Sequence, residues 1–324
     1  MPEISPQRRI KLKVSIFGGA GFIGSRVAKC LLNHGHQVVA LVRSQQKGAN
    51  LAQLGAVIKI GDLNNGDHIK ETIRGTNIVI NLAVPSYKGR VGYGRVRDIS
   101  RDFVTYVKNI LDEAKQADNI PVILSEGTFI WGDSGDGWHD ETSEFKPLGM
   151  GRIGELSTPF VQKLIEEKKA PIIRIIAAAT YGATGWFEYA VYDLIKKGWY
   201  RTFGDGQNVM SFVYIDDVAD AYRLAVEKQP IGESFAIVDD HPVKFKEFAN
   251  CAARAMGKPP VKSMPKWLGN IIVGKVWVEE LTMNHRVRNS KAKEKLGWFP
   301  AHVSYEQGIP EAIAEIESSH KKES

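Results

Sequence analysis

Three glycines near the N-terminus, Gly18, Gly21 and Gly24, have the spacing of a loop that holds a phosphate group. They lie between an apolar run, which predicts a strand, and an amphipathic stretch, which predicts a helix. There the glycines allow a tight turn, a close approach of a pyrophosphate and close packing of helix on strand. The helix would begin near Phe22 and Ile23, with its first N–H groups facing the phosphates. The spacing predicts a dinucleotide site; a glycine turn without a ligand is the alternative.

The end of the second predicted strand bears on which dinucleotide is bound. An NAD site usually has Asp or Glu at this point, where the carboxylate accepts hydrogen bonds from the ribose hydroxyls. This chain has Arg43 instead, and a guanidinium pairs with a 2′-phosphate. Arg43 therefore favours NADP, with NAD as the alternative ligand and a solvent-facing arginine as the alternative interpretation.

Other residues that follow predicted strands fit the same ligand. Asp62 and Leu63 close the third strand, where a carboxylate can reach the adenine amino group. A small residue after the fourth strand lets a cofactor lie against the backbone. The cofactor-binding residues predicted at the ends of the fourth and fifth strands are Leu82, Ala83, Val84 and Ser125.

The elements that must position these residues form a regular alternation from Leu12 onward, the pattern of strand–helix–strand units in a parallel sheet. The clearest helices are predicted over 24–34 and 102–117. Strands are predicted at 13–17, 37–42, 57–60, 78–82, 121–125, 171–176, 212–215 and 234–237. The prediction is an α/β protein with a Rossmann-type doubly wound parallel sheet and a smaller C-terminal α/β substrate lobe. The predicted boundaries are a flexible leader over 1–11, the dinucleotide-binding domain over 12–180, the substrate lobe over 181–317, with some chain returning to the first domain, and a tail over 318–324.

Composition narrows the class of protein. The chain has 324 residues, 43% of them apolar, which is enough for a sizeable core and excludes a disordered protein. No apolar run reaches the length of a membrane span, and no stretch of signal-peptide type precedes Val14. Two distant cysteines give no metal-ligand spacing, and a net charge of +6 is modest. We therefore expect a cytoplasmic protein with no metal, no membrane and no nucleic acid as a partner.

Further motifs carry a family resemblance over nearly the whole chain. They are the segments 130–133 (IWGD), 179–182 (ATYG) and 212–219 (FVYIDDVA), beyond the glycine loop. With them the chain resembles an extended short-chain dehydrogenase/reductase of the epimerase/dehydratase type. The resemblance implies hydride transfer between a small-molecule substrate and a nicotinamide, and acid–base work by a Ser/Thr, Tyr and Lys set. It also implies a homodimer that pairs the helices over 100–116 and 158–168.

The sequence departs from the resembled family at that catalytic set. Counting from Gly132, the usual hydroxyl falls on Gly127, the tyrosine on Met150 and the lysine on Gly154. Met and Gly transfer no proton. The candidate substitutes, each also open to a structural role, are Glu126 and Thr128 after the fifth strand and Tyr87 in the loop after the fourth.

The expected function is that of an NAD(P)-dependent oxidoreductase, epimerase or isomerase. It would act on a small organic substrate with a non-standard proton donor. A non-catalytic NAD(P)-binding regulator or assembly subunit is the alternative. A third hypothesis, an RNA-associated relative of the same fold, is supported only by the mildly basic net charge. Met210 stands where sugar-nucleotide epimerases often have a diphosphate-binding arginine, which makes a nucleotide sugar a less favoured substrate.

Overall fold

The computed structural model describes residues 11–85 and 91–323. The strands in these ranges are β1 (Lys13–Phe17), β2 (Gln37–Val42), β3 (Val57–Ile60), β4 (Ile78–Asn81), β5 (Val122–Gly127), β6 (Ile172–Ala177), β7 (Ala179–Tyr181), β8 (Arg201–Phe203), β9 (Val209–Met210), β10 (Phe212–Tyr214), β11 (Ser234–Ile237), β12 (Val243–Lys244) and β13 (Lys262–Met264).

The helices alternate with the strands in the first half of the chain and predominate in the second half. They are α1 (Phe22–Asn33), α2 (Gln45–Gln53), α3 (Gly66–Ile73), α4 (Tyr93–Gln116), α5 (Ser157–Glu166), α6 (Asp193–Lys196), α7 (Ile215–Lys228), α8 (Phe245–Ala255), α9 (Lys266–Ile272), α10 (Lys275–Glu280) and α11 (Tyr305–Glu323). Short 3-10 helices cover Thr128–Trp131 and Gly149–Glu155.

Seven parallel strands form the central sheet, in the order β11-β6-β5-β4-β1-β2-β3. Its strands are apolar along most of their length because helices cover both faces; all six residues of β6 are buried. The chain runs outward from β1 to β3 and then returns to place β4 on the other side of β1. Such a reversal opens a crevice at the carboxyl ends of the strands, where ligands bind.

A second, smaller group of elements follows β6. Three two-stranded pairs, β7–β10, β9–β12 and β8–β13, stand beside α8 to α11. Their core is aromatic: Phe212 stacks on Phe248 with ring centroids 3.9 Å apart, and Tyr181 meets Phe248 edge to face. Phe22 of α1 packs against this core.

The predicted fold class is confirmed, and each of the eight predicted strands is present with its ends shifted by two residues or fewer. One helix prediction was wrong at its start: α4 begins at Tyr93, nine residues before the predicted start. Gly92, Gly94 and the nearby charges hid the buried spacing of Val96, Ile99 and Phe103. The short strands β7, β8, β9, β12 and β13 were not predicted.

The chain termini bear on the predicted leader and tail. Residues 1–10 of the leader lie outside the described residues, while α11 runs through the segment predicted as a tail as far as Glu323. The domain boundaries remain predictions. None of the helices within 11–85 and 91–323 combines the length and apolar character needed to cross a bilayer.

Candidate cofactor and substrate cleft

The glycine loop joins β1 to α1 and lies against the end of β4. Gly18 has a φ of +79°, and a Cβ at this position would stand 2.6 Å from the backbone nitrogen of Ala83. Gly24 lies in the first turn of α1, where a Cβ would collide with the carbonyl oxygen of Gly18. A larger residue at either place would push the loop away from the sheet, so glycine is required at both.

The N-terminus of α1 is arranged for an anion. The helix begins after Gly21, which supplies no side-chain hydrogen bond as a cap, and its first turn holds no acidic residue. The first N–H groups, at Phe22, Ile23 and Gly24, thus keep their hydrogen-bonding capacity and the positive end of the helix dipole. All three residues line the cleft described below. The geometry fits a pyrophosphate.

A cavity of about 350 Å³ lies on one side of the loop, and we call it the basic cavity. Arg43 at the end of β2 and Lys47 in the first turn of α2 line it, and no acidic residue lies in that turn. Asp62 also lines it, with its Oδ1 accepting a 2.8 Å hydrogen bond from the Asn64 N–H. Two cations beside a helix start suit a phosphate, while Asp62 suits an amino group. The other lining residues include Gly18, Gly21, Leu63, Leu82, Ala83, Val84 and Tyr106.

A second cavity of about 430 Å³, which we call the apolar cavity, lies on the other side of the loop. Gly18, Gly21, Leu82 and Val84 line both cavities, so the two form one continuous cleft. Apolar side chains make up most of the second cavity's wall: Phe103, Phe129, Ile130, Met150, Ile153, Ala177, Ala178 and Trp186. This half of the cleft is suited to a ligand of low polarity.

One oriented hydroxyl faces the apolar cavity. Ser125 of β5 lines it, and the Ser125 Oγ accepts a 2.6 Å hydrogen bond from the phenol of Tyr222 on α7. Burial raises the pKa of the Tyr222 phenol, which is 1% exposed, so this group keeps its proton and acts as a donor. The hydrogen of Ser125 itself is left to donate to a group inside the cavity.

Glu126, a predicted catalytic residue, is held in a buried network. Its Oε1 accepts a 2.6 Å hydrogen bond from Thr158, and its Oε2 accepts from Arg174, whose Nε lies 2.8 Å away. Arg174 also donates to Gln162. The side chains of Arg174 and Glu126 are only 6% and 5% exposed. Glu126 also lines the apolar cavity, where it is the charge partner of Arg174, and an acid–base role for it stays a prediction.

The positions of the expected catalytic set converge on the apolar cavity. Gly127, Met150 and Gly154 all line it, and none carries a group that titrates. Thr128 is fully buried outside this lining, and its hydroxyl has no hydrogen-bond partner among the described residues. Tyr87, the third predicted catalytic residue, lies outside the described residues.

The segment that carries Met150 is fixed by α10. The Gly149 N–H donates to Glu279 over 2.8 Å, and the Met150 N–H donates to Glu280 over 2.7 Å. Burial, together with the neighbouring carboxylate of Glu279, raises the pKa of the Glu280 carboxyl to about 8 although the Met150 hydrogen bond lowers it. A carboxyl that favours its protonated form therefore anchors this wall of the cavity.

Several residues of the cleft were missed by sequence reasoning. Lys47 had a detectable signal, since it stands four residues after Arg43 at a helix start. Tyr106 and Tyr222 had none, because each reaches the cleft from a helix that is distant in sequence; Tyr222 and Ser125 are 97 residues apart. Arg174 lies on a predicted strand, but its pairing with Glu126 follows only from the alignment of β5 with β6.

The chain is similar to known proteins over most of its length. The family model described as the NAD dependent epimerase/dehydratase family matches residues 14–237. Among relatives, the Dictyostelium discoideum sterol-4-alpha-carboxylate 3-dehydrogenase, decarboxylating, is 24% identical, over 92% of this chain and 99% of its own.

Solved structures share the fold. The dTDP-glucose 4,6-dehydratase DesIV from Streptomyces venezuelae, with NAD and TYD bound, has a TM-score of 0.80 at 19% identity, covering 96% of this chain and 98% of its own. The human epimerase family protein SDR39U1, with NADPH, has a TM-score of 0.78 at 16% identity, covering 94% and 99%. The two structures contain NAD and NADPH, respectively, and they show that this chain shares their fold.

Proposed function

The chain belongs to the NAD dependent epimerase/dehydratase family, and on that premise we propose that it is an NADP-dependent reductase of small carbonyl compounds of low polarity. The observation that carries the proposal is the Ser125 hydroxyl, held by Tyr222 inside an otherwise mostly apolar cavity beside the glycine loop. A hydroxyl in this place can orient and polarise a carbonyl oxygen.

The preference for NADP rests on the charges of the basic cavity. Arg43, Lys47 and the start of α2 lie together there, and a 2′-phosphate would add two negative charges beside them. The ribose of NAD carries no charged group that could pair with these cations. The carboxylate of Asp62 stands after β3, at the place predicted to meet the adenine amino group.

The proposed substrate class follows from the apolar cavity. Its polar groups are few, so a substrate with a single carbonyl on an apolar frame would satisfy them. The relative from Dictyostelium is named for a 3-dehydrogenase activity on a sterol carboxylate, a substrate whose frame is large and apolar. Buried Met210 offers no charge for a sugar diphosphate.

Each group has a separate role in the proposed reaction. A bound reduced nicotinamide would supply a hydride at its C4 atom. Ser125 donates its hydrogen bond to the carbonyl oxygen and so stabilises the negative charge that grows there. Tyr222 keeps its proton, because burial raises its pKa, and orients Ser125. The proton that completes the alcohol then comes from water in the cleft, since Met150 and Gly154 offer none. The substrate carbonyl gains one hydride and one proton.

A non-catalytic dinucleotide sensor is the second candidate. The replacement of a tyrosine and a lysine by Met150 and Gly154 favours it, because both line the cavity without a titratable group. The two candidates share the cofactor site and differ only in turnover.

The deciding experiment measures NADPH oxidation with a panel of ketones that ranges from polar sugars to sterol-like compounds. We expect turnover with the apolar members. Ser125→Ala should lower kcat/KM by about 100-fold or more, and Tyr222→Phe by about tenfold. Tyr189→Phe, at an exposed phenol, is the matched control. Tight NADPH binding without turnover on any ketone would favour the sensor, and full activity in Ser125→Ala would refute the role of the hydroxyl.

A further inference from the structure

The helix α9 turns apolar side chains outward. Trp267, Ile271 and Ile272 are 64%, 60% and 57% exposed, whereas Gly269 is buried. Trp267 and Ile271 are four residues apart and therefore lie on the same face of the helix. A surface helix of a soluble protein normally turns its apolar face inward, so an outward apolar group of this size indicates a contact surface.

The segment around α9 carries only positive charge. From Gly257 to Val278 the chain has four lysines and no Asp or Glu. All four are exposed: Lys258, Lys262, Lys266 and Lys275. Lys266 is the first residue of α9, and Lys275 stands three residues after Ile272. The exposed apolar side chains are thus flanked by cations at both ends of the helix.

The neighbouring chain segments add to this charge. Arg201 lies opposite Lys262 where β8 pairs with β13, and Lys246 donates to the hydroxyl of Ser263. The carboxylate of Asp205, which follows Gly204 beside Lys266, accepts a 3.0 Å hydrogen bond from the Gln207 N–H within its own turn. The cations of this surface outnumber the Asp205 carboxylate, so its net charge is positive.

The helix is anchored firmly on its inner side. Gly269 lies so close to Phe203 and Val278 that an added Cβ would meet Phe203 at 2.5 Å and Val278 at 3.0 Å. Val276 of α10 belongs to a small buried cluster that is bordered by Met150 and Ile153 of the apolar cavity wall. The outward face is thus held in one orientation.

We infer that this surface, the α9 face (Trp267, Ile271 and Ile272 with Lys262, Lys266 and Lys275), docks on an anionic lipid surface. The three apolar side chains enter the boundary between headgroups and acyl chains, and the lysines contact the lipid phosphates. Such a contact needs no membrane-spanning helix. The inferred contact with a lipid surface differs from the sequence-based expectation of no membrane partner, which depended on the lack of a spanning segment.

Other occupants fit these residues less well. A second copy docked symmetrically would bring the same lysines face to face, which is repulsive. A single-stranded nucleic acid would need aromatic rings for base stacking, whereas two of the three apolar side chains are isoleucines. Branched aliphatic side chains beside a tryptophan and lysines match a headgroup boundary.

The test is co-sedimentation of the full chain with vesicles of phosphatidylcholine alone or mixed with phosphatidylglycerol, at low and high salt. We expect binding to the anionic vesicles only, weakened by salt. The variant Lys262→Gln/Lys266→Gln/Lys275→Gln should bind about 100-fold more weakly, since each lysine contributes a factor of about five. Trp267→Ser/Ile271→Ser should lose a similar amount.

Matched variants control for charge and exposure elsewhere. Lys70→Gln/Lys115→Gln/Lys168→Gln removes three exposed lysines, and Phe299→Ser removes an aromatic ring that is 66% exposed, all outside the α9 segment. Both controls should bind like the parent protein. Thermal unfolding and NADPH titration of each variant show that it is folded, and neither measurement depends on catalytic turnover.

Several results would overturn the inference. The inference fails if the α9 variants and their controls lose equal amounts of vesicle binding. It also fails if the protein binds neutral and anionic vesicles equally well. A polynucleotide that binds through the α9 lysines while vesicles do not, or a dimer that the Trp267→Ser/Ile271→Ser variant breaks in the absence of lipid, would assign the face to another partner.

Discussion

The two halves of the cleft are built in different ways. The basic cavity is formed by backbone N–H groups, tight glycines and two cations, Arg43 and Lys47, that face the cavity directly. In the apolar cavity the acidic lining residue Glu126 is buried and is neutralised by Arg174. The comparison teaches that one half is suited to hold a charged ligand, while the other uses charge to support an apolar surface.

The largest effect should come from the buried pair of charges at the apolar cavity, Glu126 and Arg174. Arg174→Met leaves the Glu126 carboxylate buried without its cation, which should lower the free energy of unfolding by about 3–5 kcal/mol. Urea denaturation measures this change. Arg254→Met is the matched control, because its ion pair with Glu247 is 57% and 41% exposed and should contribute less than about 1 kcal/mol.

A second variant separates charge from shape at the same site. In Glu126→Leu/Arg174→Met both charges are removed together, and we expect most of the lost stability to return. Equal stability losses in Arg174→Met and Arg254→Met would mean that the buried pair does not support the wall, and the contrast between the two halves would fail.

The contrast also explains what the sequence could predict. The basic cavity depends on residues at short, fixed distances from strand ends, such as Gly18, Gly24 and Arg43, and a strand–glycine–helix pattern locates them. The apolar cavity depends on contacts between distant segments: Glu126 meets Arg174 48 residues later, and Ser125 meets Tyr222. No periodicity reports such pairs. The strands of the sheet were predictable for the same reason, since each is a local apolar run, whereas two- and three-residue strands such as β9 and β8 carry too little pattern.

Gly18→Ala should break the half of the cleft that binds phosphate. The methyl group would meet the backbone of Ala83, and the φ of +79° would add strain on the order of 1–3 kcal/mol. We expect NADPH affinity to fall by about 100-fold or more in a fluorescence titration. Gly94→Ala is the control: no atom lies within 4 Å of its new methyl group, and its place in α4 favours alanine by about 1 kcal/mol. Unchanged binding in Gly18→Ala would contradict the close approach of loop and ligand.

Arg43→Ala tests the contribution of a single charge in the basic cavity. The lost guanidinium should reduce the preference for NADPH over NADH by roughly 10- to 100-fold, as expected for a charge-assisted hydrogen bond. The ratio of the dissociation constants for NADH and NADPH measures this preference. A general loss of folded protein affects both constants equally and leaves their ratio unchanged. Arg101→Ala, at an exposed arginine of α4, should leave the ratio unchanged. A parent protein without a preference, or a variant that keeps it, would refute the role of Arg43.

The smallest effect concerns the anchor of the Met150 segment and depends on pH. The pKa of Glu280 is raised to about 8 in the folded chain, so the folded state keeps this proton over a range in which the unfolded chain, with a carboxyl pKa near 4.5, has lost it. The stability contributed by Glu280 is thus fully present below about pH 4.5 and is lost as the pH rises toward 8. Glu280→Gln removes the titrating group and keeps an oxygen that can accept from the Met150 N–H.

The difference in unfolding free energy between Glu280→Gln and the parent should therefore grow in favour of the variant from pH 5 to pH 8, by about 1–3 kcal/mol, and then level off. Glu144→Gln, at an exposed carboxylate that pairs with Lys146, should show a flat difference over this range, because an exposed ion pair contributes little to stability. A difference for Glu280→Gln that is equally flat would mean that the carboxyl is ionised in the folded chain. The apolar cavity would then have an ionised carboxylate behind its wall at Met150. Only the neutralised pair of Glu126 and Arg174 would still distinguish its charges from those of the basic cavity.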